Sequence, residues 1–211
     1  MELPSSLVTR LYLLTYNPAS QRLVTGSELG YLLRAAALAD LMLAGCLADT
    51  NGKVTARTQS PDDPLLAVLL AEIAASTKPR SWRHWIRRGD RSIRRSVREH
   101  LEAAKVVIVR PRRVLGLFPA TEVAPRQPRI VEDLLGTVRA ALRPSQPASR
   151  VDIRDAFTVA LAAAAELKPV FTRRQLREHR DRIGRLTECA GPIPHALRKV
   201  IRQTRSAVAA G

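Results

Sequence analysis

SELGYLLRAAALADLMLAG, Ser27 to Gly45, carries apolar residues around nearly its whole circumference when read at 3.6 residues per turn. Only Arg34 and Asp40 interrupt its interior. A helix that is apolar on every face is enclosed by other helices rather than laid on a surface. Ser27 is suited to cap its start, Glu28 suits the positive end of the helix dipole, and Gly45 suits its end. A buried central helix of this kind predicts a mainly α fold.

Composition points the same way. The chain has 211 residues, 45% of them hydrophobic and only 4% aromatic. Its core is therefore built from Ala, Leu, Val and Ile, which favours helix packed on helix. No repeat or compositional break divides it, so residues 1–211 read as a single globular domain. Leu7, Leu11, Leu13 and Leu14 form a short element ending at Asn17-Pro18. Lys53 to Gln59 alternates weakly, as a strand or extended arm does. Asp62-Asp63-Pro64 opens the helix LLAVLLAEIAAS, and Lys78-Pro79 ends it. After a short segment with Trp82 and Trp85, in which Trp85 is core and Trp82 covers it, a helix starts at Asp90 or Ser92 and runs to Ala104. Ile93, Val97, Leu101 and Ala104 form its core-facing stripe. VVIV and VLGLFP then read as a β-hairpin near residues 106–118 with Arg110-Pro111-Arg112-Arg113 at its tip. Further helices are expected at 127–142, 150–167, 171–183 and 194–209.

The charge is uneven. The chain carries +16 overall, and its 35 basic residues are mostly Arg. Thirteen of them lie between Lys78 and Arg113, opposed only by Asp90, Glu99 and Glu102. Arg91, Arg94, Arg95 and Arg98 recur at helical spacing and share one face. Such a face is often merely solvated, but this one lacks the interleaved acids of a salt-bridged surface helix and runs on into Arg110, Arg112 and Arg113. Charge packed this densely is best accommodated by a polyanion. Cationic groups beside apolar Leu115, Leu117 and Phe118 suit an anionic membrane surface. Helix, strand, basic turn and strand is equally the second half of a winged-helix domain that binds nucleic acid. The residues alone leave both open.

Other classes find little support. None of His84, His100, His179 and His195 pairs with another at ligand spacing. There is no phosphate loop or nucleophile elbow, so neither an enzyme, a cofactor nor a metal is expected. Cys46 and Cys189 read as core residues rather than a bridge. No signal peptide or spanning segment is evident, which suggests a cytoplasmic protein with at most peripheral membrane contact.

The quoted segments also resemble a family in order along the chain. LLRAAALADLMLAGCL, DDPLLAVLLAEI, KPRSWRHWI and SIRRSVREHLEAAKVVIV with VLGLFP resemble a bacterial member of the Golgi phosphoprotein 3 family over roughly residues 5–145. The resemblance implies a core helix bundle surrounded by amphipathic helices, with one protruding β-hairpin. It implies a peripheral membrane protein that binds an anionic, phosphatidylinositol 4-phosphate-like headgroup through Arg34, Arg95 and Arg98. It further implies that Val114, Leu115, Leu117 and Phe118 mediate membrane contact or homo-oligomerisation, with Arg91, Arg94, Arg110, Arg112 and Arg113 as auxiliary basic surface. A Trp of the family's headgroup site falls near Thr25, so this chain lacks it. Arg34, a lone base on an apolar helix, is expected to open onto one cavity with Arg95 and Arg98. The alternative partner is an acid from another helix.

Overall fold

The computed structural model describes residues 3–24, 26, 28–89, 91–114 and 118–209, without the side chains of residues 91, 112–114 and 118–120. Its centre is helix α2, Leu29–Leu43, buried at almost every position from Leu29 to Leu41. That all-round burial is the outcome its uniform apolar surface requires. Helix α1 (Leu7–Leu14), α3 (Pro64–Ala74), α4 (Trp82–Arg87), α5 (Arg91–Ala103), α7 (Ile153–Ala164) and α10 (Pro192–Ala209) all pack on it. Helix α6 (Arg129–Ala141) lies against α1 and α7. One continuous apolar core, from Leu7 to Ile201, joins them. The mainly α fold is as expected from the composition.

Asp40, the acid inside α2, caps α1. Its carboxylate accepts from the amides of Leu7 (2.9 Å) and Val8 (3.2 Å) and from Ser6 Oγ (3.0 Å). Arg154 Nη1 stands 3.5 Å away. The free amides at the start of α1 thus find their acceptor on a neighbouring helix. At the other end of α2, Gly45 has φ of +74° and turns the chain out of the helix, the conformation glycine adopts without strain. Ser27, the expected cap of α2, lies outside the described residues.

Among the described residues, three small antiparallel sheets connect the helices. Tyr16–Asn17 (β1) pairs with Arg22–Leu23 (β2). Leu47–Thr50 (β3), Lys53–Ala56 (β4) and Arg80–Ser81 (β5) form a three-stranded sheet. The expected strand near 53–59 is its middle strand. Asp63 caps α3 by accepting from the Leu65 amide at 2.8 Å, so the acidic pair there is a helix start. Trp85 is core, and Trp82 is as deeply buried, with its Nε1 donating to Asp49 at 2.5 Å.

The hairpin is longer than expected and differently set. Val107–Val114 (β6) pairs with Phe118–Pro125 (β7), from Val107↔Pro125 to Val114↔Phe118. Arg110-Pro111-Arg112-Arg113 therefore lies within β6 and not at the tip. The Pro and the basic run suggested a turn, but Pro111 is accommodated in a two-stranded ribbon, where each strand is an edge.

Three smaller expectations also fail. Ala104 is exposed, because α5 ends one residue earlier. Cys189 is exposed at the end of α9 (Arg180–Cys189), while Cys46 is buried, and both are free. The helix expected over 171–183 is two: α8 (Arg173–Glu178) and α9 meet at His179, whose φ of −100° and ψ of 15° leave the helical region.

Candidate anion-binding face

Arg34 sits one and a half turns into α2, and burying its guanidinium without a partner would cost several kcal/mol. Two neighbours meet it. Its Nε donates to the main-chain carbonyl of Trp85 on α4 at 3.1 Å, and its Nη2 pairs with Glu72 of α3. Glu72 also accepts from Arg88 Nε at 2.5 Å. A relay of Arg34, Glu72 and Arg88 thus ties α2, α3 and the end of α4 together. Of the two partners expected for Arg34, the structure shows the acid from another helix. The acid comes from another helix, because α3 packs on α2 and carries Glu72 partly buried.

Burial pushes the Glu72 carboxyl up, and the two guanidinium groups more than reverse this, so it lies below its ordinary value of 4.5. A lowered carboxyl contributes stability that is present above the ordinary value and is lost as pH falls through the folded one. Glu72→Gln should cost about 1.5–3 kcal/mol at neutral pH, the range for hydrogen bonds to charged groups. The gap to wild type should close as pH falls below about 4.5. Urea unfolding at several pH values measures it, and a gap that is constant with pH would refute the charged pairing.

Helix α5 carries the basic stripe read from the sequence. Val97 and Leu101 are buried against the core and Ile93 is partly so, which turns the arginines outward. Arg94 is half-buried and its Nη1 lies 3.4 Å from the carbonyl of Gly26. Arg95 is exposed and pairs with Glu99 one turn on, at 2.8 Å, so one of the few acids noted in the sequence does neutralise the stripe. An exposed pair of this kind adds little to stability and is screened by salt. Arg98 is half-buried and has no carboxylate partner among the described residues. It lies close enough to Tyr12 to oppose the burial that pushes that phenol up to about 12.

The remaining predicted residues are placed less fully. Arg110 is exposed in β6, opposite Glu122. Arg112, Arg113, Val114 and Phe118 belong to the paired strands by their backbones, and Arg91 to α5, but their side chains lie outside the described residues. Leu115, Leu117 and Thr25 lie outside them entirely. Sequence reasoning missed Glu72 and Arg88. A lone acid on one apolar helix and a lone base on another was the signal that could have paired Glu72 with Arg34.

Arg94, Arg95 and Arg98 thus lie along α5, and Arg110 lies on β6, the strand that follows it. No group of three His, Cys, Asp or Glu side chains able to hold a metal occurs among the described residues. Nor is any described helix long and apolar enough to cross a membrane. The family model described as Golgi phosphoprotein 3 matches residues 7–204. No curated protein matches the chain.

Proposed function

The chain belongs to the Golgi phosphoprotein 3 family, and from that premise we propose that it is a non-catalytic, peripheral membrane protein of the cytoplasmic side. It binds anionic headgroups of the phosphatidylinositol 4-phosphate type. Arg95 and Arg98 donate charge-assisted hydrogen bonds to the phosphate, and Arg94 and Arg110 add attraction. Arg34, occupied by Glu72, acts as a positioning residue that holds α4 in front of α5. The hairpin, from Val114 through Leu115 and Leu117 to Phe118, enters the interface or pairs with a second copy. The observation that carries this reading is Arg98, a half-buried guanidinium with no carboxylate partner among the described residues, within a row of arginines.

Nucleic acid would use the same charge, and both modes weaken with salt. The hairpin separates them. A DNA-binding wing works through Arg110, Arg112 and Arg113, whereas insertion requires Leu117 or Phe118 to leave water. One large apolar side chain contributes about 1.5–3 kcal/mol when buried. Leu117→Ser with Phe118→Ser should therefore leave the protein folded and reduce flotation with phosphatidylcholine liposomes containing phosphatidylinositol 4-phosphate at least about tenfold. Residual binding should vanish in moderate salt. Unchanged flotation would sink insertion, and a shift of duplex DNA at matched salt without flotation would sink the lipid reading.

A further inference from the structure

A groove runs between α9 and α10 with α7 as its floor. Both flanking helices pack on α7 far more than on each other. It encloses about 750 Å³ and continues beside α8 into a hollow of about 580 Å³ that shares Arg173, Leu176 and Arg205. The floor is small and apolar, made by Ala160, Ala163 and Ala164, with Ile183 and Pro194 on the walls. A Cβ built at Gly184, on the α9 wall, meets nothing within 4 Å.

The rims are mainly cationic, with five arginines against Glu166 and Glu188. Arg173, Arg177 and Arg180 stand along the α8–α9 side, and Arg198 and Arg205 along α10. Arg205 is engaged, by Glu28 at 2.6 Å and Glu166 at 2.7 Å. The other four have no carboxylate partner among the described residues. Arg198 and Arg205 are seven residues apart, or about 10.5 Å along the helix.

Three properties select the occupant. The groove is half open to solvent, so the ligand keeps a wet face of its own. Its floor of alanines lets a backbone approach closely and rewards an apolar stripe. Its cations are spread along both rims, so one acidic head would leave most unanswered. A nucleic acid supplies spaced charges but no apolar stripe. A helix with leucines along one face and glutamates at its flanks supplies both, at i, i+3, i+4 and i+7 spacing.

We propose that the groove between α9 and α10 docks an acidic amphipathic α-helix of a partner protein, its apolar stripe on the α7 alanines and its carboxylates on the arginine rims. This site is independent of the lipid reading and lies on other elements.

The test is fluorescence anisotropy with a labelled 14-residue helical peptide carrying leucines at that spacing and flanking glutamates. Two controls accompany it: a scrambled peptide of the same composition and a peptide with lysine in place of glutamate. The first peptide should bind saturably, the scrambled one at least about tenfold more weakly, and the lysine peptide not at all. Gly184→Trp should fill the groove and weaken binding at least about tenfold, with circular dichroism and liposome flotation unchanged. Arg198→Glu should do the same from the opposite rim. Equal binding of the scrambled peptide would overturn the proposal. So would binding indifferent to Gly184→Trp, or displacement of the peptide by duplex DNA that binds the Trp variant equally well. Those results would leave the arginines a general polyanion surface.

Discussion

Asp40→Ala is expected to lower the unfolding free energy by about 2–6 kcal/mol, from two buried amides left without an acceptor at about 1–3 kcal/mol each. Asp40 is 5% exposed and is the acceptor for Ser6 Oγ and for the amides of Leu7 and Val8. Alanine strands those two buried amides. It also removes the tie between α1 and α2. Asp40→Asn keeps an acceptor and should fall in between. The charged form is itself held at a cost, because burial raises the Asp40 carboxyl above its ordinary value despite the donors and Arg154. A raised carboxyl means that the folded state binds the proton more tightly, so this group's contribution declines as pH rises from 3.8 through the raised value. Urea unfolding and hydrogen exchange at Leu7 and Val8 provide the measurement. A loss below about 1 kcal/mol, within reach of an ordinary surface change, would refute the capping role.

Gly89→Ala should cost about 1–3 kcal/mol, the usual range for overpacking. A Cβ at this position would stand 2.4 Å from the Gly30 carbonyl oxygen and 2.7 Å from its carbon. Both atoms are main chain at the start of α2, so no rotamer change relieves the contact. The link between α4 and α5 must lift away, carrying Arg94 and Arg98 with it. Lower thermal stability together with weaker flotation is therefore expected. A variant as stable as wild type would show that the two backbones do not cross so closely.

The central helix was legible because its apolar residues leave no doubt about which face is buried. The placement of α3 was legible for a local reason, the Asp63-Pro64 start. The hairpin register was not, since Pro111 among arginines has the composition of a turn and only pairing across to Thr121 shows it to be strand. The partner of Arg34 was not legible either. It depends on which turn of α3 meets α2, a matter of packing between segments 38 residues apart. The α9–α10 groove left no mark in the sequence, because its alanines read as core and its arginines as one more part of a basic chain.

The clasp of Arg205 on Glu28 joins residues 177 apart. Its consequence concerns the order of events on the ribosome. At about 5–20 residues per second, roughly 10–35 s separate synthesis of the start of α2 from that of the end of α10. Over that interval the central, buried helix has emerged while two of its covers, α7 and α10, have not. The nascent chain must be shielded by chaperones or held in a loose collapse until its last helix arrives. Deletion of α10 should then produce insoluble protein rather than a shorter folded one.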